Sequence, residues 1–145
     1  IFLLYMWGVT KMKDIRRLFS YHGAEHKSIH CYERGLELTV ENVRKQSTLH
    51  PRCGTNFLMI VMLISMFVFA FFGWPDLLTR IASRLLFMPV IAGISYEAIR
   101  YAGFHCQNPL VHAAIMPGLL LQKLTTRQPD DDQIEVAIKS VEAVI

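Results

Sequence analysis

The stretch Phe57 to Trp74 (FLMIVMLISMFVFAFFGW) carries no charge, and the uncharged run widens to Cys53 through Pro75. Its 18 residues, wound as a helix at about 1.5 Å per residue, reach roughly 27 Å, close to the hydrocarbon thickness of a bilayer. The run therefore predicts a transmembrane helix over 57–74, ended by Gly73 and Pro75, with Trp74 at the far interface. A chain built around such a segment is not expected to fold as a free cytosolic globule. Composition agrees: 52% of the 145 residues are hydrophobic and 19% charged, against about 25% charged in an average soluble chain, and the mean hydropathy is +0.31.

A second apolar run, Leu85 to Tyr96, extends to a crossing over 77–104, with Pro89 and Gly93 inside it; membrane helices tolerate both when neighbours satisfy the freed backbone. The stretch 105–124 contains His105, Cys106, His112 and two prolines, and its apolar part is too short to span, so an interfacial or re-entrant helix is expected. Over 125–145, Ile134, Ala137, Ile138, Val141 and Val144 recur at helical spacing, which predicts an amphipathic tail helix with Asp132 and Glu135 at capping-box spacing. The opening run 1–9 (IFLLYMWGV) is expected to be the end of a membrane helix that has been cut through. Nine of the fifteen Lys and Arg lie between Lys11 and Arg52. By the positive-inside rule that places the segment 10–56 in the cytoplasm and reads its basicity as topology rather than nucleic acid binding. The expected architecture is an all-α integral membrane protein with a cytoplasmic-face helical segment.

Six His and three Cys are unusual company for such greasy segments, and neither full membrane run contains any of them. Without a histidine at bilayer depth, a haem or chlorophyll protein is disfavoured. Nor is there a Gly-rich phosphate loop or a G-x-S-x-G. Three Cys without C-x-x-C, on a cytoplasmic face, point to reduced thiols rather than a disulfide scaffold.

The sharpest motif is His22-Gly-Ala-Glu25-His26, an H-x-x-E-H sequence. On a helix the two histidines lie one turn apart on one face, so both imidazoles can reach one metal, with Glu25 beside them as a general base or a third ligand. Inverted-zincin peptidases use this arrangement, the carboxylate activating a metal-bound water. The competing interpretation is a surface helix with two hydrogen-bonded histidines. His30 extends the face, but about 12 Å of axial rise from His22 keeps the two off one ion, so His30 is expected to support or stand exposed. For the third ligand three candidates stay open: Cys53 and His50, from Leu49-His-Pro-Arg-Cys-Gly, and Glu97 at the end of the second crossing, where Arg100 could simply pair with it. The expected cofactor is a divalent metal, zinc by its ligand types.

The strings FSYHGAEHKSIHCYERG, LTVENVRKQSTLHPRCGTNF and PGLLLQKLTTRQPDDDQIEVAI resemble the YqhQ-like family of bacterial membrane proteins, a domain of unknown function (1385) sometimes labelled a predicted metal-dependent enzyme. The resemblance runs from about Tyr21 to the end and implies a longer N-terminal part and a multi-pass place in the bacterial inner (cytoplasmic) membrane. The label itself rests on H-x-x-E-H. The pairing of that motif with a distant Cys beside Gly is similar to the site of S-ribosylhomocysteine lyase, an analogy of site only. Two functions are therefore expected to compete: a metal-dependent hydrolase of a peptide or lipid-linked substrate, and a structural or assembly subunit. In both, the lateral apolar surface calls for membrane lipid and either a homo-oligomer or other membrane subunits.

Overall fold

The computed structural model describes the backbone of residues 2–145 and the side chains of residues 4–145. Residue 1, the start of the expected cut helix, lies outside the described residues. The chain is helical throughout: α1 (Phe2–Val9), α2 (Lys13–Glu33), α3 (Val40–Arg44), α4 (Gly54–Ala70), α5 (Leu77–Phe104), α6 (Pro109–Thr125) and α7 (Asp131–Glu142). No strand occurs among the described residues. The elements fall into two compact units, residues 1–50 with 120–145, and residues 51–119.

In the first unit α2 is the spine, with α3 and α7 packed on it. Its end is set by Gly35, whose φ of 66° lets the Gly35 and Leu36 N–H groups bond back to the Tyr32 and Cys31 carbonyls at 2.9 and 3.1 Å, the two bonds of a Schellman stop. α7 begins at a reciprocal capping box: Asp130 accepts from the Gln133 N–H, and the Gln133 side chain accepts from the Asp130 N–H. The box sits two residues earlier than the Asp132–Glu135 pair the spacing suggested, because a Gln at the third position serves as well as a Glu. Its apolar stripe, Ile134, Ala137 and Ile138, joins Ala24, Cys31 and Val43 in a buried core edged by Leu38 and Val40.

Two irregular segments are laid against α2 by specific contacts. Lys27 is 3% exposed, and its ammonium donates to the Arg44 and Gln46 carbonyls at 2.8 and 2.7 Å, a cation on the C-terminal end of α3. Burial pushes its pKa down, and the two carbonyls are the return for that desolvation. On the other side the Arg127 N–H donates to the Phe19 carbonyl at 2.9 Å. That approach requires Gly23: a Cβ there would lie 2.0 Å from the Arg127 carbonyl oxygen.

The second unit is built on α4 against α5. Asp76 caps α5 by accepting from the Thr79 N–H at 3.1 Å, and Ser95 donates to the Ile91 carbonyl at 2.7 Å within the helix. Buried residues on α5 form one narrow stripe, Ile91, Ser95, Ile99 and Ala102, while Leu85, Leu86, Val90 and Ile94 are exposed. Asn56 is fully buried and donates to the Pro51 carbonyl at 2.6 Å; Gly118 packs so close that a Cβ would meet its side-chain oxygen at 1.7 Å.

Of the two expected crossings, α5 alone among the described helices is long and apolar enough: 28 residues, mean hydropathy 1.6, with 6% of its most apolar window buried. α4 occupies Gly54–Ala70, 17 residues, or about 26 Å, rather than 57–74. It starts at the Cys53 cap and stops at Phe71, before Gly73 with its φ of 61°. α6 runs to Thr125, past the apolar stretch ending at Leu121, with Pro117 inside it.

Candidate metal centre

The polar face of α2 gathers four imidazoles in the first unit. His22 and His26 meet edge to face with ring centroids 4.3 Å apart, His26 and His50 are 5.8 Å apart, and His50 and His30 are 4.6 Å apart. Each α2 histidine is held by a main-chain carbonyl. His22 Nδ1 donates to Thr125 O at 2.9 Å, His26 Nδ1 to Thr48 O at 2.6 Å, and His30 Nε2 to Leu49 O at 2.8 Å. A carbonyl only accepts, so these bonds fix the neutral tautomers: the lone pair falls on Nε2 in His22 and His26 and on Nδ1 in His30. Metal-ligating histidines are oriented in this way, with the second ring nitrogen donating to a carbonyl or carboxylate. A ring nitrogen of His22 and one of His26 lie within 4.8 Å of each other, and His26 is buried.

His50 is fixed by its own main chain. Its N–H donates to the Gln122 side-chain oxygen and its carbonyl accepts from the Gln122 amide, both at 2.9 Å. Burial first, and the neighbouring His30 second, push its pKa down to about 4. Its Nε2 lies 3.3 Å from Glu33 Oε2. Glu33 escaped the sequence reasoning, although the signal was present: His30-Cys-Tyr-Glu33 repeats the H-x-x-E of His22-Gly-Ala-Glu25 eight residues on. The Thr48, Leu49 and Thr125 carbonyls left no signal in the sequence, because any residue supplies one.

Glu25 is exposed. With His22 it lines a groove of about 760 Å³ between α2 and α7, whose other walls include Leu18, Ile29, Val141 and Val144. Of the remaining candidates, Cys53 belongs to the second unit, where it is buried, caps α4 and lies 3.2 Å from the Thr55 hydroxyl. Glu97, also there, is exposed and pairs with Arg100 at 3.3 Å. His105 bonds to the Tyr101 carbonyl at 3.0 Å and stacks on its ring.

The family described as "Protein of unknown function (DUF1385)" matches residues 1–145. The chain belongs to the DUF1385 family. The "Uncharacterized protein YqhQ" of Bacillus subtilis (strain 168) is 42% identical to it over 140 residues, covering 97% of this chain and 44% of the relative. The chain thus spans less than half the length of that DUF1385 relative. No solved structure matches.

Proposed function

We propose that this DUF1385 chain holds a zinc-type divalent ion through His22 and His26 and uses it to hydrolyse a peptide or lipid-linked substrate. The observation that carries the reading is the pair of Nδ1–carbonyl bonds, at 2.9 and 2.6 Å, that turn both lone pairs of the H-x-x-E-H histidines onto Nε2. Bound there, the ion would supply an acidified water. Glu25, beside His22 at the groove wall, would take the proton from that water and return it to the leaving group. The apolar walls would hold an apolar part of the substrate and keep bulk water from it.

For the third ligand, Cys53 is retained from the sequence as a buried thiol, since His50 faces His30 and Glu33 and Glu97 faces Arg100. The length and exposed apolar surface of α5 support anchoring in a membrane, where lipid or neighbouring subunits would cover that surface. Metal content of the detergent-purified protein tests the centre: His22→Ala and His26→Ala should each lose an equivalent that wild type carries. Equal content in all three would sink it.

A second reading, a structural or assembly subunit, is favoured by one observation: the same histidine bonds tie two backbone segments to α2. Glu25→Gln separates the two. An enzyme loses turnover while keeping its metal and its associations, whereas a scaffold is untouched by the change.

A further inference from the structure

Beyond the H-x-x-E-H pair, His30 and Glu33 on the C-terminal half of α2 converge with His50 from the segment that follows α3. One ligand atom each from His30, Glu33 and His50 lies within 4.8 Å of the other two. Two histidines and a carboxylate are a donor set of catalytic zinc sites, which keep a fourth position open.

The internal spacing also suits two ligands of one ion. A charge-assisted N–H···O bond closes to about 2.7–2.9 Å, whereas two ligands each about 2.0–2.1 Å from a tetrahedral ion stand roughly 3.3–3.4 Å apart. His50 Nε2 and Glu33 Oε2 are 3.3 Å apart. The supporting bonds are of the right kind as well. His30 is oriented by Nε2–H donating to Leu49 O, which puts its lone pair on Nδ1, and the Gln122 amide clamps both main-chain polar groups of His50. The set is graded in depth: the His50 side chain is 7% exposed and that of Glu33 is 34% exposed, so the carboxylate side is where an ion could enter.

We infer that His30, Glu33 and His50 form a second divalent-metal site, distinct from the one at His22 and His26. The α2 face is then a two-centre array, with Glu33 standing to its own histidines as Glu25 stands to the first pair in sequence, but as ligand instead of base. This inference does not depend on hydrolysis and stands if the first centre is absent.

The test is zinc stoichiometry of the full chain in detergent, stripped with chelator, reloaded with Zn²⁺, passed through gel filtration and read by elemental analysis. Helical circular dichroism is followed in parallel. Wild type should hold two equivalents, and Glu33→Gln and His30→Ala should each hold one, the one that His22→Ala removes. If the wild-type chain holds a single equivalent, lost in Glu33→Gln and kept in His22→Ala, the second site stands and the H-x-x-E-H centre falls. The inference is overturned if Glu33→Gln and His30→Ala keep the wild-type zinc content. It is equally overturned if both variants lose all zinc together with His22→Ala, which means one shared centre, or if wild type binds none.

Discussion

Replacing Gly23 by alanine sets helix propensity against packing, and the two predict opposite signs. Gly23 is interior to α2, where Gly→Ala ordinarily gains about 0.5–1 kcal/mol. Here the added Cβ would lie 2.0 Å from the Arg127 carbonyl oxygen and 3.2 Å from its carbon. Both are main-chain atoms, so no rotamer relieves the contact and the segment after α6 must move off the helix. Overpacking of this kind costs about 1–3 kcal/mol. The displacement also strains the Arg127 N–H to Phe19 O bond and the His22 Nδ1 to Thr125 O bond, both 2.9 Å, at about 1 kcal/mol each. Subtracting the propensity gain leaves roughly 2–4 kcal/mol of net destabilisation. Because His22 loses the carbonyl that orients it, zinc affinity should also fall, by about 10–100-fold. The assay is thermal melting by circular dichroism in detergent, beside zinc titration, with Gly93→Ala as control: Gly93 is also inside a helix, and a methyl added there would have nothing within 4 Å of it. Gly93→Ala should leave the melting temperature level or raise it, and Gly23→Ala should lower it. A rise in Gly23→Ala matching that of the control would refute the close-approach argument.

Gly118→Ala should destabilise the second unit by a similar amount, since its Cβ would fall 1.7 Å from the oxygen of fully buried Asn56; the same melt checks it. His50 gives a pH prediction for the chelator-treated protein. Its pKa is about 4 when folded and about 6.5 when unfolded, so the unfolded chain binds the extra proton between those values. Stability is then full above pH 6.5 and falls by about 3 kcal/mol as pH drops towards 4; His50→Asn should flatten that part of the curve, and an unchanged slope would remove the assignment. Lys27→Met should cost about 1–3 kcal/mol in urea melts, because it orphans the two carbonyls that end α3. Finally, Val90→Arg together with Ile94→Arg on the exposed flank of α5 should penalise insertion by about 5–7 kcal/mol and release the chain from alkaline-washed membranes; retention would argue that α5 is covered by protein.

The helical class and the amphipathic tail were legible because hydrophobic period is a local property: Ile134, Ala137 and Ile138 announce the face that α7 buries. Helix ends were less legible. α4 begins at Gly54 and not at Phe57, since polar Thr55 and Asn56 belong to the helix once Asn56 is buried against Gly118, a contact 62 residues away that no local pattern encodes. The centre shows the same division. His22 and His26 were readable as a pair from one-turn spacing, but what orients them, the Thr48 and Thr125 carbonyls, depends on where a loop and the end of α6 come to lie. Glu33 was passed over because H-x-x-E without a following His has no distinctive pattern, and only the approach of His50 gives it a partner.

Taken letter by letter, the motif shows which substitution can distinguish chemistry from architecture. His22 and His26 tie the Thr125 and Thr48 carbonyls. Gly23 admits the Arg127 backbone, Ala24 is wholly buried in the core, and Lys27 ends α3. Each of these positions has structural employment, so its mutation would unsettle the fold whether or not a metal binds. Glu25 differs: it is exposed, no core contact holds it, and it stands at the wall of an apolar groove beside His22. An exposed carboxylate on a helix is replaced by glutamine at a cost within about 0.5 kcal/mol. A loss of function in Glu25→Gln with unchanged melting and unchanged zinc would therefore have to be a loss of chemistry, which is why this residue, more than the histidines around it, decides between hydrolase and scaffold.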